Sequence, residues 1–183
     1  MSRPAVFFDR DGVVNMSPGA GYVLNWAQFR LSPGIVEALR LCKERGYATV
    51  VVTSQQGVGK GLMSQADLDD IHARLQSELA LQGAAFDAIH ACTCLADDPA
   101  CTCRKPSPDM IFAARNQLDL DLGRSWLIGD HDRDIQMAHN AGVPGTIRIL
   151  NDDRPVTVPA TVTLDRIEDL TTTLERMLAS QPG

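Results

Sequence analysis

The residues best equipped for chemistry are Asp9 and Asp11, two positions apart in Ala-Val-Phe-Phe-Asp-Arg-Asp-Gly at residues 5 to 12. A carboxylate can attack phosphorus and form an aspartyl-phosphate, which divides one hard displacement into two easier ones. A second carboxylate beside it can protonate the departing alkoxide and later deprotonate the attacking water. Paired negative charges facing a phosphate repel it, so the pair calls for a hard cation such as Mg²⁺, held by few carboxylates and several waters. The apolar run before Asp9 suits a strand covered on both faces. Its carboxyl end is where open α/β sheets bind ligands. Side-chain alternation would point Asp9 and Asp11 one way and Arg10 another, and Gly12 allows a sharp turn. Asp-x-Asp-Gly also arises in ordinary Asp-rich turns, so the remainder of the chain has to decide.

Other phosphate-competent groups lie further along. Thr53-Ser54-Gln55 offers hydroxyls and backbone N–H groups, ahead of Gly57, Gly59 and Gly61 around Lys60. Such a stretch can cradle phosphate oxygens, or be a plain Gly-rich loop. Arg104 and Lys105 supply positive charge before Pro106, or form a solvated basic pair. Asp130, after Gly129, can complete a Mg²⁺ site with Asp9, while Asp134 can support that site from behind or cap a helix. Cys92-x-Cys94 and Cys101-x-Cys103 place four of the five cysteines in one short loop. Four thiolates can enclose Zn²⁺ tetrahedrally, in a closed site that is structural rather than catalytic. A reducing compartment makes disulfides unexpected there.

Alternating elements must position these groups. The pattern predicts strands at Tyr47 to Thr53, Phe86 to Ala91, Ser125 to Gly129 and Thr146 to Leu150, with a short one at Thr161 to Leu164. Helices are expected from Ser32-Pro33 to a stop at Gly46, and from Ser64, with Asp67 as a capping box, to Gly83. Further helices run from Ser107-Pro108 to Leu118, from Asp132 to Asn140, and from about Arg166 to Ala179. Residues 13 to 31 form a long loop. Strands alternating with helices imply a doubly wound, mainly parallel, Rossmann-like α/β sheet. No linker divides the chain, so residues 1 to 183 read as a single domain containing the cysteine loop 92 to 103.

Asp9-Arg-Asp11-Gly, Thr53, Lys105 and Gly129-Asp130, in this order, resemble the four motifs of haloacid-dehalogenase-superfamily phosphatases across roughly residues 5 to 150. The resemblance implies that Asp9 is the nucleophile and Asp11 the acid/base. It implies that Thr53 and Lys105 hold the phosphoryl group, and that Asp9, Asp11 through its backbone carbonyl, and Asp130 bind Mg²⁺. Many members carry a cap domain, but 44 positions separate Asp9 from Thr53 and 52 separate Thr53 from Lys105, which leaves no room for one. The cysteine loop running into Cys-Thr-Cys-Arg-Lys-Pro resembles the branch of heptose-bisphosphate and histidinol phosphatases. That branch usually has His where this chain has Cys94. Gly21-Tyr22-Val23 and Gly57-Val-Gly-Lys60-Gly61 are closer to the heptose enzymes, and Lys60 could meet a second phosphate. The resemblance therefore implies removal of the 7-phosphate from D-glycero-D-manno-heptose 1,7-bisphosphate, with histidinol phosphate or another small sugar phosphate as the alternative. Substrate contacts are expected from Tyr22, Thr53, Ser54, Gln55, Lys60, Arg104, Lys105 and His131.

Two positions depart from the branch: Ser54 replaces Asn, and His131 replaces a Lys or Arg. His131 would titrate near neutrality and make activity depend on its protonation if it faces phosphate, or be an exposed histidine at a helix start. A receiver-type phosphoacceptor module also combines a doubly wound sheet with acids, Mg²⁺, Thr and Lys. Its phosphoacceptor, however, lies on the third strand and it has no cysteine loop. The net charge of −6 and pI near 5.1 count against nucleic acid and anionic membranes as partners. No apolar stretch is long enough to span a bilayer and residues 1 to 8 lack the apolar core of a signal peptide, so a cytoplasmic monomer acting on a small phosphorylated sugar is expected.

Overall fold

The computed structural model describes residues 2–179; Met1 and residues 180–183, which the expected single domain includes, lie outside the described residues. Twelve main elements alternate along the chain. They are β1 (Ala5–Phe8), α1 (Ile35–Glu44), β2 (Ala48–Ser54), α2 (Gln56–Gly59), α3 (Gln65–Ala80), β3 (Ala88–Cys92), α4 (Asp109–Leu118), β4 (Trp126–Gly129), α5 (Asp132–Ala141), β5 (Gly145–Ile149), β6 (Val162–Leu164) and α6 (Leu170–Ala179). The six strands form one sheet in the order β3-β2-β1-β4-β5-β6, and every neighbouring pair is parallel.

A parallel sheet needs crossovers, and the helices that make them cover both faces. Alternation along β1 sends Val6 and Phe8 to one face, into a core with Ile35 and Leu39 of α1, Leu68 and Leu75 of α3, and Leu174 of α6. Ala5 and Phe7 go to the other, against Met110 and Ile111 of α4 and Met137 of α5. Phe7 and Phe8 are both fully buried, each worth about 1.5–3 kcal/mol of hydrophobic stabilisation. β1 is therefore the middle of the molecule, and the turn at its carboxyl end is anchored to the core.

The expected capping box is present: Ser64 accepts from the Asp67 amide at 3.1 Å, and Asp67 accepts from the Ser64 amide at 2.8 Å. Among the described residues, no cap domain interrupts the sheet: Asp9 to Thr53 is filled by a loop with a one-turn 3₁₀ segment at Trp26–Gln28, α1 and β2. The Gly57-to-Gly61 stretch differs from expectation. It forms the short helix α2 rather than an open turn, and a Cβ on Gly59 would meet the Thr93 carbonyl oxygen at 2.4 Å. That glycine lets α2 pack against the start of the cysteine loop.

Candidate active site

The strand order reverses between β1 and β4, which is where open α/β sheets form a crevice. The Asp9 amide donates to the Ile128 carbonyl at 2.9 Å, so the ends of these two strands stay in register beyond the ladder and bring Asp9 beside Asp130. Asp9, Asp130 and Asp134 each offer a carboxylate oxygen within 4.8 Å of the others, and all three residues are buried. Lys105 reaches in from the opposite loop, donating to Asp9 Oδ1 at 2.7 Å and to Asp134 Oδ1 at 2.6 Å. Asp134 Oδ2 accepts from the His131 amide at 3.0 Å, so this residue both caps α5 and aims Lys105.

Charge explains the site's appetite for a cation. Three carboxylates against one ammonium leave two negative charges in a nearly dry space. Burial, reinforced by Asp134 and Asp130 and only partly opposed by Lys105, pushes the Asp9 carboxyl up to about 8. Burial and Asp134 also raise Asp130. Burial alone would lower Lys105, but Asp134 and Asp9 outweigh it and raise it; burial would raise Asp134, and Lys105 more than reverses that. Asp130 Oδ1 is buried without a hydrogen-bond partner. An orphaned carboxylate oxygen beside surplus negative charge is the donor set a divalent hard cation takes.

Asp11 does not join this cluster. β1 ends at Phe8, so Asp9 to Asp11 already lie in a turn and the two-residue alternation no longer governs them. The carboxylate of Asp11 is instead taken by the fully buried Arg10, with contacts at 2.9 and 3.1 Å, by Asn15 at 3.0 Å and by Gln55 at 3.1 Å. The expected carboxylate pair of Asp9 and Asp11 is thus replaced by Asp9, Asp130 and Asp134. Asp11 still lines the same cavity. Gly12, next in the chain, has φ +91°, and a Cβ there would come within 2.6 Å of both Asp130 and Asn151. Positive φ and close approach together require glycine.

A cavity of ≈ 340 Å³ opens above the cluster, lined among others by Asp9, Asp11, Tyr22, Ser54, Lys105, Asp130, His131 and Arg154. The Ser54 hydroxyl is buried and unpartnered. Thr53 and Gln55 are buried behind this wall, with Gln55 donating to the Thr53 hydroxyl at 2.9 Å. Lys60 and Arg104 are not among the lining residues. Lys60 bonds the Tyr22 hydroxyl at 2.9 Å, and Arg104 is partly buried beside Cys103. His131 lines the cavity, but burial, then Arg133 and Arg154, lower its pKa to about 4. That direction disfavours the charged form near neutrality.

Sequence reading missed two residues. Asn151 donates to the Gly12 carbonyl at 2.9 Å and to Asp130 Oδ2 at 3.2 Å, tying the loop after β5 to the turn after β1. Arg154, on the same loop, lies against His131 and 3.6 Å from Asp130. A polar loop gives no periodic signal, so nothing in the sequence marked either. His72, read as an isolated histidine, has a partner as well: its Nε2 lies 3.4 Å from Arg10 Nη1.

The four loop cysteines converge, with their sulfurs within 4.8 Å of one another. Contrary to the expectation of four unbridged thiols, Cys92 and Cys103 are joined as a disulfide, leaving Cys94 and Cys101 free. Other sulfur separations are 3.7, 3.7 and 3.8 Å. A tetrahedron of sulfurs about 2.3 Å from zinc has edges of about 3.8 Å. Apart from the bridged pair, these separations match a zinc site in size, and the four sulfurs would supply its donors once all are thiolates.

The sheet, the acids at its switch point and the opposing lysine define a phosphatase of the haloacid-dehalogenase-like class, and a family described as HAD-hydrolase-like matches residues 102–149. The chain is 36% identical over 180 residues to D-glycero-β-D-manno-heptose-1,7-bisphosphate 7-phosphatase of Vibrio cholerae, covering 93% of this chain and 95% of that one. It is 37% identical over 159 residues to D-glycero-α-D-manno-heptose-1,7-bisphosphate 7-phosphatase of Burkholderia mallei, covering 84% and 83%. The crystal structure of the D,D-heptose 1,7-bisphosphate phosphatase from B. bronchiseptica complexed with magnesium and phosphate superposes with a TM-score of 0.81 at 29% identity, covering 94% of this chain and 98% of that one. The chain belongs to the heptose-1,7-bisphosphate 7-phosphatase family. Among the described residues, no helix is long and apolar enough to cross a membrane.

Proposed function

We propose that this phosphatase removes the 7-phosphate of D-glycero-D-manno-heptose 1,7-bisphosphate through an aspartyl-phosphate on Asp9. The observation that carries the reading is the buried meeting of Asp9, Asp130 and Lys105 on the floor of one cavity, in a chain so similar to heptose-bisphosphate phosphatases. Asp9, Asp130 and the Asp11 backbone carbonyl would hold Mg²⁺. When bound, this ion supplies the positive charge that keeps Asp9 ionised and offsets charge on the phosphoryl oxygens.

Asp9 attacks phosphorus, and the bond to the sugar oxygen breaks as Asp11 hands that oxygen a proton. Water then attacks the aspartyl-phosphate, gives a proton to the Asp11 carboxylate, and releases phosphate and free Asp9. To serve in both steps Asp11 rotates away from Arg10, a move that its partly exposed side chain allows. Lys105 stabilises the transferring group, with Thr53 and the unpartnered Ser54 hydroxyl on the same side. Arg104 contributes charge from behind, and Lys60 acts through Tyr22. Zn²⁺ held by Cys92, Cys94, Cys101 and Cys103 would fix the loop that carries Lys105, two residues beyond the last ligand.

The test is phosphate release in Mg²⁺ from both anomers of the heptose bisphosphate and from histidinol phosphate. Heptose bisphosphate is expected to be preferred, and Asp9→Asn should fold normally and release no phosphate. A preference for histidinol phosphate, or an active Asp9→Asn variant, would overturn the proposal.

A further inference from the structure

We infer that Gln55 is a positioning residue whose side-chain amide aims two members of the machinery at once, the Thr53 hydroxyl and the Asp11 carboxylate; this rests on the aspartyl-phosphate reading. Expected from sequence to touch substrate, Gln55 is instead 3% exposed and is not among the residues lining the cavity. A carboxamide offers two N–H donors. Here Nε2 donates to Thr53 Oγ1 at 2.9 Å and to Asp11 Oδ2 at 3.1 Å, so both are spent on the proposed site. Leaving a buried donor unpaired is costly, which favours this arrangement over any other.

The backbone around Gln55 is equally constrained. Its amide donates to the Cys92 carbonyl at 2.7 Å, at the end of β3, and its carbonyl accepts from the Val58 amide at 3.2 Å as α2 begins. Gln55 is thus pinned between the ends of β2 and β3, and its side chain reaches across to the turn after β1.

Each bond has its own consequence. Because the Thr53 oxygen accepts from Gln55, its own hydrogen points away from that amide, and a hydroxyl so oriented can donate to a phosphoryl oxygen. Among the described residues, Thr53 Oγ1 has no other hydrogen-bond partner to compete for that hydrogen. Asp11 needs a partner that suits both of its forms. Arg10, a cation gripping the carboxylate at 2.9 and 3.1 Å, suits the ionised form. A neutral N–H bonds a carboxylate oxygen and the carbonyl oxygen of a carboxylic acid alike. Gln55 therefore stays with Asp11 through proton donation and proton return, while Arg10 lets go.

The experiment measures kcat/KM in Mg²⁺ for D-glycero-D-manno-heptose 1,7-bisphosphate and for acetyl phosphate. The first loses a sugar alkoxide, which needs a proton; the second loses acetate, which needs none. In a two-step mechanism kcat/KM reports only on steps up to departure of the leaving group, so the comparison isolates the acid. Gln55→Met keeps the chain length and removes both donors. It is expected to lower kcat/KM about 100-fold for the bisphosphate and about tenfold for acetyl phosphate. On acetyl phosphate, adding Gln55→Met to Thr53→Val should cost nothing further, because the hydroxyl that Gln55 orients is already gone. A merely structural residue would depress both substrates by the same factor. That result, an unchanged Gln55→Met, or a further loss in the double variant overturns the inference. Circular dichroism establishes folding, and Gln55→Glu, which keeps the shape without N–H donors, carries the same test should methionine disturb the packing. An Asp11→Asn variant that loses as much on acetyl phosphate as on the bisphosphate instead overturns the acid/base reading on which the inference rests.

Discussion

Replacing Asp134 by Asn tests how the charged floor of the cavity is held. Its side chain is fully buried and serves two donors at once, Lys105 Nζ at 2.6 Å and the His131 amide at 3.0 Å. Asparagine fills the same volume but has only one oxygen. Whichever way it turns, its NH₂ faces a donor, so either the lysine loses a buried partner or α5 loses its cap. Breaking a buried ion pair costs about 3–5 kcal/mol, and losing a cap costs about 1 kcal/mol. The amide oxygen can still serve Lys105, and removing one of three crowded carboxylates relieves some repulsion. The net loss is therefore about 2–4 kcal/mol, which lowers Tm by roughly 5–15 °C for a chain of this size. With its aim gone, Lys105 swings toward Asp9 and kcat falls on the order of 100-fold. The cluster also carries one negative charge fewer, so Mg²⁺ binds more weakly. Urea denaturation in chelator, calorimetric titration with Mg²⁺ and steady-state phosphate release measure the three effects. A variant as stable and as active as wild type would show that Asp134 neither caps the helix nor positions the lysine.

Two other predictions concern stability and metal. Burial, then the adjacent Arg10, lowers the His72 pKa from 6.5 to about 4. Between those values the unfolded chain binds a proton that the folded chain refuses, so stability falls as pH drops through this window, by about 3 kcal/mol in all. His72→Gln removes this component, and urea midpoints at pH 7.5 and 4.5 should lie closer together than in wild type; an equal separation would refute it. Protein purified with thiols kept reduced should carry one zinc per chain by elemental analysis, and Cys101→Ser should fall well below that and lose turnover as the Lys105 loop loosens. Metal-free wild type with full activity would refute this.

Much of the scaffold was readable because apolar periodicity and punctuation agreed. The Ser64–Asp67 box, the helix after Ser107-Pro108 and even the short β6 stand within a residue or two of where the pattern put them. Asp9, Thr53 and Asp130 were legible because each stands at or just beyond the end of a hydrophobic strand. Only the direction of the Asp11 side chain differed from expectation, because strand alternation was carried past Phe8 into a turn, where an adjacent arginine takes the carboxylate. Lys60, expected from the family resemblance to meet a second phosphate, bonds the Tyr22 hydroxyl, and the glycine before it, Gly59, serves close packing against Thr93. His131 could not be judged from type alone, since the bias against its charged form comes from burial and from arginines brought near by folding. Asn151 and Arg154 acquire meaning only from what lies across the crevice.

The tie between Asn151 and Gly12 spans 139 positions of chain. Asp9, the proposed nucleophile, precedes its surroundings in the chain by about a hundred positions or more: Lys105, then Asp130 and Asp134, and finally the loop that locks β5 to the opening turn. A chain still emerging from the ribosome, or one cut short before that loop, carries Asp9 without the setting that gives it purpose. The proposed phosphate chemistry therefore draws on residues spread from Asp9 to Asn151 and needs all of that stretch folded at once.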